Sequence, residues 1–157
     1  MLARYQIRRG ASLADLPRVL REGVRIDTRM HTRHCLRPAR ELVATLFAAL
    51  DAGRAGAWTA FARAYQELLD QRFAADRAPF DALAVLARTR NVFLGCSCPT
   101  ARVPDVRHCH TVLALRFLRA RYPRLDVRLP KVRAIAAAPS RATRRRARGA
   151  GGDRRRA

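Results

Sequence analysis

Three stretches of the chain carry the apolar pattern of β-strands. Tyr5 and Ile7 alternate with polar neighbours, which predicts a short strand near the N-terminus. A second β-like run covers residues 24–29 and stops at polar residues. The third run, 91–96, is continuously apolar, which is typical of a strand covered on both faces. We therefore expect 91–96 to form the central strand of a parallel sheet. A fourth short run, 126–129, predicts a last strand at the edge of the sheet.

Apolar residues at spacings of three and four predict helices between and after these strands. The expected helices cover about 13–20, 42–50, 58–69, 80–87 and 108–121. Ser12 is the predicted N-cap of the first helix, and Gly23 ends it. Trp58, Phe61 and Tyr65 share one face of the third helix, so we interpret this aromatic stripe as core packing.

Strands that alternate with helices favour a three-layer, Rossmann-like α/β fold with a mainly parallel sheet. The length of 157 residues suits one domain with a single core. Residues 131–157 contain Gly, Ala, Pro and Arg with few large apolar residues, which predicts disorder. We expect an α/β domain at 1–130 and a disordered Arg-rich tail at 131–157.

The charge balance is strongly basic, with 33 Lys/Arg against 12 Asp/Glu and a net charge of +21. Such an excess predicts attraction to a polyanion, nucleic acid first, because each phosphate neutralised by a basic residue releases a counterion. Tail arginines would bind nucleic acid by charge, without base readout. A solvated tail without a partner is the alternative. The tail residues expected at this contact are Arg144, Arg145, Arg146, Arg154, Arg155 and Arg156.

The sequence lacks the features of a membrane or secreted protein. No apolar run approaches the roughly 20 residues that span a bilayer. The N-terminus becomes charged too early to supply the apolar core of a secretion signal. We expect a cytoplasmic protein, or a nuclear one in a eukaryotic host, whose four cysteines are free thiols.

All four cysteines and all four histidines lie in two short segments, 31–35 and 96–110. Ligands of parallel α/β proteins bind where strands end and helices begin, because backbone N–H groups and helix dipoles converge there. Two predicted strand ends and one predicted helix start carry reactive side chains. The predicted site combines Asp27, Arg29, Cys96, Cys98, His108, Cys109 and His110.

These segments resemble two families without an established reaction. Gly95-Cys-Ser-Cys-Pro99, followed by a loop and His108-Cys-His-Thr-Val-Leu113, resembles the Cys-x-Cys-Pro … Cys-His ending of the domain of unknown function 4326. Asp27-Thr-Arg29 is similar to the Asp-Val-Arg triplet of the related domain of unknown function 488. Some members of that second family also share the aromatic helix that begins at Trp58. The resemblance covers about residues 5–129 and implies the fold and the position of the site.

One interpretation of the cluster is a thiol or phosphate site. Cys109, at a helix N-terminus with His108 and His110 beside it, would have its thiolate favoured by positive potential and could act as a nucleophile. Asp27 would orient a histidine or act as a base, and Arg29 would clamp a phosphate.

A bound metal, with zinc as the favoured ion, is the second interpretation. Its ligands would be some of Cys96, Cys98, His108, Cys109 and His110, with His31, His34 and Cys35 as further candidates. Residues i and i+2 of a strand are about 6.6 Å apart, whereas two sulfurs on one zinc are about 3.8 Å apart. A zinc site therefore requires the backbone at 95–97 to bend.

The third interpretation is structural, with the cysteines as small core residues and the histidines as backbone partners. Of the three, we favour a domain that binds or processes a phosphate-bearing ligand, a nucleotide or nucleic acid, at the Cys/His site. The alternative is a non-enzymatic, zinc-stabilised module that binds nucleic acid through its basic tail. The sequence does not decide between enzyme and binding module, and it gives no oligomeric state.

Overall fold

The computed structural model describes residues 1–130 of the chain. Its sheet has three parallel strands, β1 (Leu2–Gln6), β2 (Val24–Asp27) and β3 (Val92–Cys96). The spatial order is β1-β3-β2, so the strand that comes last in the sequence lies in the middle. Every residue of β3 is buried, which confirms the central strand predicted from its apolar run.

Five α-helices accompany the sheet within residues 1–130. They are α1 (Arg18–Glu22), α2 (Arg40–Asp51), α3 (Ala57–Ala75), α4 (Ala78–Thr89) and α5 (His110–Arg121). A single 3-10 turn, Val106–His108, precedes α5. Helices and a parallel sheet together confirm the predicted α/β class.

The two faces of the sheet are covered unequally. On one face Leu2, Val92 and Leu94 join the main hydrophobic core with residues of α2, α3, α4 and α5. On the other face the Phe93 ring lies against Gly23, directly after α1. The main core therefore lies on one face of the sheet, and the chain directly after the five-residue α1 packs on the other.

The aromatic stripe of α3 forms part of the main core. Phe61, Tyr65 and Leu69 are all buried, which confirms the interpretation as core packing. Trp58, one turn earlier, is only partly buried and lies at the margin of the core. The stripe thus runs from the core to the edge of the sheet where the strands end.

The first helix is shorter than the sequence pattern predicts. A helix over 13–20 with Ser12 as its N-cap is wrong, because α1 begins only at Arg18 with Pro17 at its N-cap. The Pro17 ring disfavours helical backbone at the residue before it. The Ser12 hydroxyl instead bonds the Asp15 carboxylate at 2.8 Å.

The predicted last strand at 126–129 is also wrong. This segment forms a single parallel bridge, between Val127 and Leu2, on the outer edge of β1. Two backbone hydrogen bonds of 2.8 Å join it to Leu2. Pro130 has no N–H group to continue the ladder, so the pairing ends there.

No helix in the described part of the chain is long and apolar enough to span a bilayer. The tail at 131–157, which the sequence predicts to be disordered, lies outside the described residues.

Candidate functional site

Residues of the predicted site meet at the edge of the sheet where the parallel strands end. Asp27 is the last residue of β2, and Cys96 is the last residue of β3. Cys109 is the N-cap of α5, so its side chain lies at the start of that helix. His108 lies in the preceding 3-10 turn rather than in the helix, two residues before the observed start of α5.

Cys96, Cys98 and Cys109 form a cluster of three sulfur atoms that all lie within 4.8 Å of one another. We call these three residues the thiol cluster. Cys109 is 1% exposed and Cys96 is 6% exposed, whereas Cys98 is half-buried. β3 keeps regular pairing through Cys96 and ends there, so the chain turns at Ser97 and brings the Cys98 sulfur back. The bend that a shared site requires therefore exists directly after the strand.

His110 lies against the thiol cluster with its tautomer fixed by a backbone carbonyl. Its Nε2 is 3.0 Å from the carbonyl oxygen of Thr28, which can only accept, so Nε2 carries the proton. Its Nδ1 lies 3.6 Å from the Cys96 sulfur. Burial lowers the pKa of His110, which favours the neutral ring. The lone pair of Nδ1 therefore points at the thiol cluster.

The surroundings shift the pKa values of the three thiols in different directions. Hydrogen bonds from the Cys96 and Cys98 thiols hold the pKa of Cys109 well below its ordinary value. The same bond to Cys109 raises the pKa of Cys98 to about 11. The N-terminus of α5 also favours a negative charge at Cys109. Of the three thiols, Cys109 is therefore the one whose ionised form its surroundings favour most.

Arg4 of β1 supports the cluster from the neighbouring strand. Its Nη2 donates to the Cys98 carbonyl at 2.5 Å, and its Nε donates to the Thr111 hydroxyl at 3.3 Å. The Thr111 oxygen in turn lies 3.0 Å from the Cys109 sulfur. Sequence reasoning missed Arg4, Thr28 and Thr111. The spacing of Arg4 was a signal in the sequence. Arg4 lies two residues after the buried Leu2, so both side chains point to the core face of the sheet.

Asp27 and Arg29 form an ion pair beside the cluster. The Arg29 guanidinium contacts both Asp27 carboxylate oxygens, with Nη2 and Oδ2 separated by 2.7 Å. Partial burial alone would raise the pKa of Asp27, but the hydrogen bonds from Arg29 lower it below its ordinary value. His31 Nε2 lies 3.7 Å from the same carboxylate. The carboxylate is therefore ionised and holds the guanidinium in place.

A cavity of about 300 Å³ opens beside these residues. Its wall combines thiols, basic side chains and aromatic rings. Cys96, Cys98, His110, Arg29 and His31 line it. The apolar wall includes Val43, Leu46, Phe47, Trp58 and Phe61. Cys109 lies beneath this surface and does not line the cavity.

The other predicted ligands lie in different surroundings. The His108 ring stacks on Trp58, with 4.9 Å between ring centroids, and lines the cavity. His34 uses Nδ1 to accept the N–H of Leu36 at 3.1 Å. Cys35 packs against the main core instead of joining the thiol cluster. Within residues 1–130, the thiol cluster is the group whose donor atoms converge closely enough for a metal.

The six tail arginines that we expect to contact nucleic acid, Arg144, Arg145, Arg146, Arg154, Arg155 and Arg156, lie outside the described residues. Their role therefore stays a prediction.

Comparison with protein families identifies the family of this chain. A protein-family model described as the active DUF488-N3 subclade matches residues 9–122, which include the thiol cluster and the cavity. No curated protein and no solved structure matches the chain.

Proposed function

The chain belongs to the DUF488-N3 family, and on that premise we propose that its cavity binds and processes a phosphate-bearing ligand with an aromatic ring, such as a nucleotide. The description of the matching subclade as active favours an enzyme over a purely structural module. One observation carries the proposal: a guanidinium, an indole and two thiols line the same cavity, from Arg29, Trp58, Cys96 and Cys98.

The basic side of the cavity suits a phosphate. Arg29 uses Nε and Nη2 for Asp27, and its Nη1 has no hydrogen-bond partner among the described residues. A guanidinium held in this way loses little side-chain entropy when it binds an oxyanion. The rings of His31 and His108 also line the cavity and supply N–H donors.

The aromatic side of the cavity suits a planar ring. Trp58 and Phe47 belong to its apolar wall, and the indole already stacks on His108 at an interplanar angle of 25°. Stacking of a base on an aromatic side chain contributes about 1–3 kcal/mol without selecting among bases. We therefore expect affinity for nucleotides as a class before affinity for one base.

The thiol cluster forms the chemical part of the proposed site. Cys96 and Cys98 line the cavity and would contact the ligand directly. Cys109, which the sequence suggests as a nucleophile, lies behind them and is almost completely buried. Within this proposal Cys109 influences the ligand through the other two sulfurs, and Asp27 acts by orienting Arg29.

Fluorescence of Trp58 tests the proposal, because it is the single tryptophan of the chain. The full-length protein is titrated with nucleoside phosphates at high ionic strength, which weakens non-specific attraction to basic residues. We expect nucleotides to change the Trp58 emission, and nucleosides without phosphate to bind much more weakly. Arg29→Gln should weaken nucleotide binding about tenfold, because it removes a hydrogen bond to a charged group.

Arg18→Gln is the matched control, since Arg18 is an exposed residue of α1 whose side chain pairs with Glu22. It should bind nucleotides like the wild type. The proposal fails if millimolar nucleotides leave the emission unchanged, or if Arg29→Gln and Arg18→Gln bind them equally well.

A further inference from the structure

We propose that Cys96, Cys98, Cys109 and His110 bind a zinc ion. The three cysteines and the histidine come from the end of β3, the turn after it and the start of α5. The three sulfurs lie close together, and His110 Nδ1 lies beside one of them, that of Cys96. This inference goes beyond nucleotide binding, because it assigns a metal to the thiol cluster, of which Cys96 and Cys98 also line the cavity. It does not depend on nucleotide binding, for which the basic and aromatic walls of the cavity are the test.

Distances between the donor atoms fit a tetrahedral ion. Sulfurs bound to one zinc lie about 3.8 Å apart, and a sulfur and an imidazole nitrogen lie about 3.6 Å apart. The three sulfurs lie within 4.8 Å of one another, so shifts of at most about 1 Å bring the sulfurs to this spacing. His110 Nδ1 lies 3.6 Å from the Cys96 sulfur but outside the group of three sulfurs, so zinc binding requires this ring and the other two sulfurs to approach each other.

The surroundings of His110 are those of a zinc ligand. Metal-bound histidines nearly always donate their second N–H to a carboxylate, a backbone carbonyl or a water. His110 donates Nε2–H to the Thr28 carbonyl, which leaves the Nδ1 lone pair free to bind. The Thr28 hydroxyl is itself held by the Gly95 carbonyl at 3.0 Å. The ring is therefore fixed in the tautomer that coordination through Nδ1 requires.

The local charge also suits the complex. Three thiolates, one neutral imidazole and Zn²⁺ carry a net charge of −1, which a buried site must compensate. Arg4 lies beside the cluster through its bond to the Cys98 carbonyl, and the N-terminus of α5 adds positive potential at Cys109. Each thiol that still carries a proton releases it to solvent as its sulfur binds zinc. Thiolate and imidazole donors favour zinc over magnesium or calcium.

This ligand set is narrower than the sequence indicates. His108 stacks on Trp58, and the imidazole of His34 bonds the Leu36 N–H, so neither joins the cluster. Four protein ligands close the coordination sphere, which is typical of a structural zinc. A zinc here would fix the turn after β3 to the start of α5 and so shape the wall of the cavity.

Metal analysis of the full-length protein tests the inference. The protein is purified with a reductant and without a chelator, and its zinc content is measured. We expect about one zinc per chain in the wild type, and a loss of about tenfold or more in affinity for Cys98→Ser and His110→Ala. Cys35→Ser and His108→Ala are the matched controls, since they change neighbouring residues of the same types, and they should keep the zinc.

Cobalt(II) provides a second measurement that needs no variant. Cobalt added to the metal-free wild type should give the thiolate charge-transfer band and the intense visible bands of a tetrahedral site. The inference is overturned if the reduced wild type holds no zinc and develops no such bands with cobalt. It is also overturned if Cys98→Ser, folded by circular dichroism, binds zinc like Cys35→Ser. Either result leaves nucleotide binding to be judged by the Trp58 titration.

Discussion

His34 illustrates how one partly buried imidazole can depend on its neutral form. Its Nδ1 accepts the backbone N–H of Leu36, two residues further on, at 3.1 Å. A protonated ring has no lone pair to accept this bond. Burial lowers the pKa of His34 below its ordinary value, in agreement with the neutral state. The residue that resembled a spare metal ligand in the sequence thus serves a local backbone turn.

We predict that His34 makes the fold less stable in mild acid. Because its pKa is lower in the folded protein, the unfolded chain binds more protons as the pH falls through about 6.5, and this favours unfolding. The contribution of the neutral ring is complete above that pH and is lost below it. His34→Asn should keep stability at neutral pH, because its side-chain oxygen can accept the same N–H.

Denaturant unfolding of the two proteins between pH 5 and pH 8 measures the effect. The fall in free energy of unfolding on acidification should be smaller for His34→Asn than for the wild type. Parallel pH profiles would contradict the assignment.

At the scale of one element, β3 pairs with β1 on one side and β2 on the other, and side chains from the β1 segment pack over it. A Cβ on Gly95 would lie 2.7 Å from both Ile7 Cδ1 and Tyr5 Cε1. These side chains occupy the face of the sheet opposite the main core, where Gly95 leaves them room. The glycine before Cys96 is therefore explained by packing on the second face of the sheet.

Gly95→Ala should destabilise the fold by about 1–3 kcal/mol, which is typical of overpacking. Thermal and denaturant unfolding measure the change. Adding Ile7→Ala should restore part of the loss, because the shorter side chain makes room for the new methyl group. Strictly additive effects of the two substitutions would show that they do not meet.

Much of the fold and the position of the site could be predicted from the sequence. Continuous apolar character located β3, and the reactive residues at its end and at the start of α5 located the thiol cluster. The spacing of Arg4 from Leu2 could have placed its side chain on the core face, but its partner could not be predicted, because the Cys98 carbonyl is distant in the sequence. The prediction of an edge strand at 126–129 was wrong, because the apolar pattern of this run does not show how far its pairing extends before a proline ends it.

At the scale of the whole molecule, the basic charge is divided between residues 1–130 and residues 131–157. Ten of the 33 Lys/Arg residues, and Asp153 as the one acid, belong to residues 131–157. Attraction between such a segment and phosphates depends on charge and not on base sequence. A non-specific polyanion, above all nucleic acid, is therefore the partner that we propose for the tail.

Replacing the six candidate tail arginines with glutamine should weaken binding to duplex DNA and its dependence on salt. Each lost phosphate contact reduces the slope of log affinity against log salt by about 0.9. Affinity measured at several salt concentrations gives this slope for wild type and variant. A tail with the same residues in shuffled order is the matched control and should bind like the wild type. An unchanged slope in the glutamine variant would place the phosphate contacts elsewhere.

The strand order also constrains how the protein folds while it is being synthesised. β1 and β2 both pair with β3, in registers that join Leu2 and Val24 to Val92, and they do not pair with each other. During translation β1 and β2 therefore stay unpaired until β3 has left the ribosome. The sheet then forms late, through contacts between residues that are distant in sequence. Pauses in translation before β3 would prolong the time during which β1 and β2 are unpaired. We expect chaperones to bind the nascent chain most strongly during that time.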